Sequence, residues 1–306
     1  MTSNNSGREE RGNSMNDVNE FWARVREAGG FDIEHLIDTK PESCLVGFRE
    51  FDKKYDCNPH IVLFAKMGIH KYNMIQGTNL QLSSVEKYNY RPSRVYTSYY
   101  ITLVAKHPDA SWDSRLTFQT RVVDEGFDIK KLYCGIAAPK PATQGNLLQG
   151  QNLEPEAVDE FYKGRLPEWP VSEKVFNEKK RFYLVKKAEL REHDWIRLYM
   201  ELAFLLSRSR RPKNPKLSKL VIVMVAVETK EDNVEPSSER LKANNANFYI
   251  KYKYHSSKAW PPKVRSADRI AIVRRIFDKN TGHLTLQFDC QYANTVLQKG
   301  SGTRDP

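Results

Sequence analysis

The stretch from Asn58 to Ala105 constrains the fold more than any other, because its apolar period switches abruptly from helical to extended. Asn58-Pro59 makes a helix start: the Asn side chain can accept from an orphaned backbone N–H, and Pro at the first helical position has no N–H to waste. Ile61, Phe64, Ala65, Gly68, Tyr72 and Ile75 then recur at three- and four-residue intervals and form one apolar stripe. Gly77 supplies the left-handed residue that ends such a helix. Beyond it Leu80 and Leu82 alternate with Gln81 and Ser83. After a Tyr90-Arg91-Pro92-Ser93 turn, Tyr99, Ile101, Leu103 and Ala105 share one face. A helix this amphipathic must cover something, and the sheet that follows it is the nearest partner. Its aromatics read as core, since aromatic side chains dominate core energetics.

The rest of the chain extends this pattern. Leu116, Phe118, Thr120 and Val122 make a third strand, and Leu132, Cys134, Ile136 and Ala138 a fourth. Residues 15–140 thus read as an α+β domain, one principal helix on an antiparallel sheet. An earlier helix docks through Phe21 and Trp22 and stops at Gly29-Gly30, and Leu45 to Phe51 reads as a short strand. Residues 1–14 and 298–306 read as disordered tails, and residues 141–154, rich in Gln and Gly, as a linker. Residues 155–297 read as a second, strand-rich antiparallel domain, opened by a short helix from Pro155 to Tyr162. Its strands fall at Phe182–Ala188, Trp195–Leu206, Lys219–Thr229, Phe248–His255, Ile270–Phe277 and Leu284–Tyr292, with Asp278–Gly282 joining the last two. Trp195–Leu206 has residues of high helix propensity, yet Ile196, Leu198, Met200, Leu202 and Phe204 alternate, and the period assigns it as a strand.

A chain of 306 residues, 40% hydrophobic and 28% charged, is long enough for two cores of ordinary size. No run approaches the roughly 20 apolar residues of a membrane span. The N-terminus is polar and lacks a signal-peptide core, so the expectation is an intracellular protein, in cytosol or nucleus. Cys44, Cys57, Cys134 and Cys290 form no C-x-x-C pair and read as free thiols. The net charge of +11 is concentrated in the C-terminal half. Lys174–Lys219 holds 14 Lys and Arg against 5 Asp and Glu, and Phe248–Arg275 holds 8 against 1. Such a face can meet an anionic partner or simply keep the protein solvated, and the solvated reading is the default.

No motif here dictates a chemistry. His60 and His70 are ten residues apart, not at the four-residue spacing of a helical metal pair, and read as surface or capping histidines. His193-Asp194 has no Ser or Cys nearby at motif spacing. No P-loop, dinucleotide fingerprint, HExxH or Gly-x-Ser-x-Gly appears, and no cofactor or metal is predicted. The Ser207–Ser218 segment, made a loop by Pro212 and Pro215, carries Arg208, Arg210, Arg211, Lys213 and Lys216 as a candidate anion or partner contact. Tyr249, Lys251 and Lys253 share a strand face that could stack bases and meet phosphates. The leading expectation is a non-enzymatic module acting through an unidentified protein partner, and the alternative is a nucleic-acid-binding module using the basic half.

Several strings carry a resemblance. They are Phe21-Trp22, Gly30-Phe31-Asp32, Gly68–Asn73, Gly77–Leu80, Glu86–Asn89, Ser98–Leu103, Asp194-Trp195-Ile196, Val227–Asp232, Ile272–Arg275 and Thr281–Leu284. Together they resemble a plant-specific family of cystatin-related paralogues, uncharacterised in biochemical activity, some associated with embryo development. The resemblance spans roughly residues 20–290 and implies a cystatin/monellin-like fold. Cystatins enter papain-like protease clefts with a Gln-x-Val-x-Gly hairpin and a Pro-Trp hairpin. Here the corresponding segments read Tyr90-Arg-Pro-Ser-Arg-Val-Tyr96 and Asp124-Glu-Gly-Phe-Asp-Ile129. An Arg-Pro-Ser-Arg loop brings bulk and charge where a Gly-rich wedge would approach closely. The chain is therefore expected to leave papain uninhibited at nanomolar concentration in a fluorogenic peptide assay.

Overall fold

The computed structural model describes residues 15–50, 57–108, 115–126, 130–140, 159–207, 216–231, 236–255 and 268–292. The segments read as tails, the 141–154 linker and residues 208–215 lie outside them. The helix beginning at Asn58-Pro59 forms as α3 (Pro59–Gln76), with the Asn58 side chain accepting from His60 N at 3.0 Å. Gly77 closes it at φ 65°, its N–H donating to Asn73 O. Asn73 then steers the exit, its side-chain amide pairing with both the N–H and the carbonyl of Leu80 at 2.9 Å.

Before α3 come α1 (Met15–Glu27), α2 (Glu34–Ile37) and strand β1 (Gly47–Glu50). After it run β2 (Gln81–Pro92), β3 (Tyr96–Lys106), β4 (Leu116–Glu125) and β5 (Lys130–Pro139). The second half repeats this order: β6 (Phe182–Leu184), α4 (Lys187–Glu192), α5 (Asp194–Leu206), then β7 (Leu220–Glu228), β8 (Ala246–Tyr254), β9 (Asp268–Asp278) and β10 (His283–Tyr292). All ten strands belong to one antiparallel sheet, ordered β1-β2-β3-β4-β5-β10-β9-β8-β7-β6. The halves expected as separate domains therefore share a sheet, joined where β5 pairs with β10.

Three expectations are corrected. Trp195–Leu206 is helix, not strand, and it is buried almost all round: every residue from Leu198 to Leu206 is below 9% exposed. Its polar residues, Asp194, Arg197 and Glu201, recur at three- and four-residue intervals and carry the helical period, in agreement with the helix propensity, whereas the alternation of its apolar residues is accidental. The strand expected over Phe182–Ala188 stops at Leu184, where Tyr183 and the Lys186 backbone both donate to the Glu189 carboxylate and open α4. Of the helix expected from Pro155 to Tyr162, residues 155–158 lie outside the described residues, and Glu160–Tyr162 forms a 3₁₀ turn.

Both α3 and α5 lie on the same face of the sheet, α3 over β2 to β5 and α5 over β7, β9 and β10, touching each other. One core runs through both halves, from Phe64, Leu103 and Phe118 to Phe204, Phe248 and Leu286. The opposite face is covered twice. Beneath β2 and β3, Phe31 sets its ring edge on Tyr100 at 5.4 Å and Asn89 donates to the Gly30 and Phe31 carbonyls. Beneath β7 to β9, Trp169 and Phe176 pack on Tyr249, Ile270 and Ile272.

The seat of α3 depends on one missing side chain. A Cβ on Gly68 would lie 2.2 Å from Oγ1 and 2.5 Å from Cβ of Thr120 on β4. Thr120 is held in place by its 2.8 Å bond to the Ile136 carbonyl. Gly68→Ala is expected to lower stability by about 1–3 kcal/mol, the usual cost of overpacking, read as a lower urea midpoint. Lys66→Ala, at an exposed position two residues earlier, should stay within about 0.5 kcal/mol of the parent.

Candidate functional site

The helices α3 and α5 run antiparallel, so the end of α3 meets the start of α5. At the start of α3, Asn58, His60 and Phe64 face Leu205 and Leu206 at the end of α5; at the second junction, the end of α3, His70 and Met74 face Trp195 and Leu198. This second junction opens into a cleft of about 970 Å³. One wall is the last turns of α3 with Leu80 and Leu82. The other is Arg191 to Leu198, and Leu241 and Arg275 also line it.

At the cleft's inner end four side chains form a connected group. His70 Nε2 lies 2.8 Å from the Tyr199 hydroxyl, and Trp195 stacks on the His70 ring at 5.3 Å and 19°. Arg275 Nη1 donates to the Tyr199 oxygen at 3.5 Å, and its Nη2 donates to the carbonyls of Leu241, at 2.8 Å, and Ala243. The guanidinium faces the Trp195 and Phe248 rings at 4.9 and 5.0 Å. Which of His70 Nε2 and the Tyr199 hydroxyl donates in this contact is set by the His70 tautomer.

Burial, then the Arg275 charge, pushes the His70 pKa down to about 3, so the ring is neutral at physiological pH. Burial pushes the Tyr199 phenol up against the lowering influence of Arg275, and it stays protonated. A general base works best with a pKa near ambient pH, and neither group meets that. On the wall, burial raises the Glu201 pKa while Arg197, donating at 2.9 Å, lowers it. Among the described residues no group of three or more His, Cys, Asp or Glu side chains is placed to hold a metal ion.

The residues singled out in the sequence fall elsewhere. Arg208, Arg210, Arg211 and Lys213 lie outside the described residues. Lys216 is exposed, and its backbone N–H donates to the Tyr254 hydroxyl at 3.4 Å. Tyr249 is no stacking platform: it is 1% exposed under Trp169, Phe176 and Phe182, with its hydroxyl donating to Glu228 at 2.7 Å. Lys251 is paired with Glu173 at 2.8 Å and Asp268 at 3.4 Å, and Lys253 with Asp268 at 3.6 Å. His60 sits at the helix cap as expected, but His70, expected at the surface or a cap, is buried. Sequence reasoning missed Trp195, Tyr199 and Arg275. The available signal was the adjacent pair Arg274-Arg275 inside the apolar run Ile270–Phe277.

The profile of the family described as Protein MS5 matches residues 166–286. An Arabidopsis thaliana protein described as Uncharacterized protein At4g17700 is 67% identical over 160 residues, 52% of this chain and 96% of the relative. UPF0725 protein At3g19520 of the same plant is 37% identical over 311 residues, 96% of each chain. The crystal structure of MS5 from Brassica napus is similar with a TM-score of 0.59 and 33% identity, covering 78% of this chain and all of that one.

One consequence of the buried site is a pH dependence. The folded-state pKa of His70, about 3, is depressed below the ordinary histidine value of about 6.5. The unfolded chain therefore binds the proton first, and stability falls as pH drops from about 6.5 toward 3. His283, depressed to about 4 by burial, acts with the same sign. In urea titrations, His70→Gln is expected to flatten the loss of stability below pH 6.5 relative to the parent chain.

Proposed function

The chain belongs to the UPF0725 family of plant proteins, and from that premise we propose that it is a non-enzymatic, intracellular interaction module of cystatin/monellin-like type. The support for the fold reading is topological. Each half runs strand, helix, four-stranded meander, which is the cystatin order that the resemblance implies, and the two units sit side by side through their last strands. The neutral His70–Tyr199 pair favours a binding role over catalysis. Any part in embryo development, as the resemblance implies for some paralogues, would be exercised through protein contacts.

The observation that carries the interaction reading is the edge of β7. Strand β6 pairs with only Ala226 to Glu228 of β7, and among the described residues no strand pairs with the outer edge from Leu220 to Met224, where Arg197 donates to the Leu220 carbonyl at 3.3 Å. Val221 and Val223 there are 46% and 47% exposed, large apolar side chains on a strand edge. Natural edges are usually guarded by charge, proline or a bulge; here an irregularity between Ile222 and Met224 interrupts the ladder, while the exposed valines leave an apolar template for an added strand. The occupant is an extended, β-branched segment of a partner protein. The nucleic-acid alternative is weakened by the burial of Tyr249 and by the carboxylate partners of Lys251 and Lys253.

Panning a random peptide library on the full chain is expected to enrich strand-forming sequences. Their binding should fall by roughly tenfold or more in Val221→Lys/Val223→Lys, since charges on an edge block strand addition. Enrichment insensitive to that double variant would remove the edge from consideration. Retention on single-stranded RNA that falls steeply with log salt would favour the alternative instead.

A further inference from the structure

Arg275 is the starting point. It is 1% exposed, yet it has no carboxylate partner among the described residues. Two of its nitrogens are held by the Tyr199 hydroxyl and by the Leu241 and Ala243 carbonyls, while its buried Nε–H has no acceptor among the described residues. A buried cation left without an opposite charge is costly, and a buried donor without an acceptor adds to that cost. Arg275 nevertheless lines the cleft between α3 and α5, so a group entering the cleft can reach it.

The surroundings select the missing group. His70 on α3 is neutral, and Tyr199 and Trp195 on α5 carry no charge, so apart from the Trp195 and Phe248 ring faces no negative group among the described residues at the inner end of the cleft offsets the guanidinium. Lys242, on the segment after β7, is already paired with Glu239 at 2.7 Å, and Arg197 with Glu201 at 2.9 Å. The exposed Lys66 and Arg191 stand on the lining, against the exposed Glu192 and Asp194. One desolvated positive charge matches one negative charge. A guanidinium presents its N–H groups in a plane suited to a carboxylate, and a dianion such as phosphate would bring one charge more than the inner end can balance. The walls mix polar and apolar surface, with Ile69, Met74, Leu198 and the Trp195 ring making the apolar part, and a cleft of about 970 Å³ is of the size that holds small ligands.

We propose that the α3/α5 cleft binds a small organic carboxylate with an apolar body, its carboxylate received by Arg275 and its body lying along Ile69, Met74, Leu198 and Trp195. This site is independent of the β7 edge, and the two fail separately.

The test uses the full chain with phenylacetate and 4-phenylbutyrate as probes, with binding read by calorimetry and by intrinsic tryptophan fluorescence. Phenylethanol serves as the uncharged counterpart, and inorganic phosphate as the competing anion. The parent chain is expected to bind at least one carboxylate with a Kd between about 1 μM and 1 mM. Phenylethanol should bind roughly tenfold weaker or less, the usual worth of one charge-assisted contact. Arg275→Met should lose the binding. Because Arg275 also holds two loop carbonyls, that variant's folding is checked by circular dichroism. Met74→Trp, which fills the cleft and leaves Arg275 in place, should lose binding too, whereas Val221→Lys/Val223→Lys should retain it. No carboxylate binding at millimolar concentration overturns the proposal. So do equal affinity for phenylethanol, binding of phosphate alone, or unchanged binding in Met74→Trp.

Discussion

Five residue pairs hold the two halves of this chain in one sheet. Lys130 to Cys134 of β5 face Leu284 to Phe288 of β10, and every other strand is reached through this seam. The seam is dry on the helix side, where Leu132, Cys134, Leu284 and Leu286 are fully buried. Lys71 of α3 reaches across to donate to the Gly135 carbonyl at 2.6 Å, fastening the helix to the strand at the junction. Burial lowers the Lys71 pKa, so the contact comes with a desolvation penalty that the Cys134 neighbourhood only partly offsets. On the other face the Tyr133 hydroxyl meets His283 Nδ1. A short ladder alone would be a weak joint. With a helix on one side and an aromatic–histidine pair on the other, it becomes the centre of one core.

The seam explains the cleft. Two units of the same order, meeting through their last strands, place their helices on one face and antiparallel to each other. The positive end of each helix then lies by the negative end of the other, a favourable dipole arrangement that needs no charged side chain. At one junction the apolar pair Leu205-Leu206 faces Phe64 and Ile61. At the other, the end of α3 turns away into β2 under the control of Asn73, and α5 begins only after the short α4. The space left between those two departures is where His70, Trp195 and Arg275 meet.

How much of this was legible in the sequence follows from how local each determinant is. The bounds of α3 are set by Asn58, Pro59 and Gly77, whose cap chemistry acts within one turn, and they were readable directly. The strands β2 to β5 alternate because one side faces α3, and that too was readable. The helix α5 was misread because an accidental alternation of its apolar residues outweighed a short polar stripe of Asp194, Arg197 and Glu201 at helical spacing. The cleft was out of reach for a different reason. His70 and Tyr199 are 129 residues apart in sequence, and Tyr199 and Arg275 are 76 apart. Only the topology brings them together.

The basic C-terminal half shows why charge counts mislead. Of the cations between Phe248 and Arg275, Lys251 and Lys253 are engaged by carboxylates and Arg269 lies over the Phe204 ring at 5.3 Å. Arg274 and Arg275 are adjacent on β9 and therefore point to opposite faces of the sheet. Arg274 gathers the carbonyls of Tyr162, Gly164 and Arg165 at 2.9 to 3.0 Å, pinning the outer segment. Arg275 gathers those of Leu241 and Ala243, pinning the inner one. Segments without regular structure cannot satisfy their own carbonyls, and the five-donor fork of arginine does it for several at once. Charge that reads as a solvated or nucleic-acid-binding face is, at these positions, scaffolding. The two arginines differ in one respect: Arg274 also donates to Asn247 Oδ1 through its Nε, whereas the Nε of Arg275 faces no acceptor among the described residues. That asymmetry distinguishes two neighbours doing the same structural work on opposite faces of the sheet.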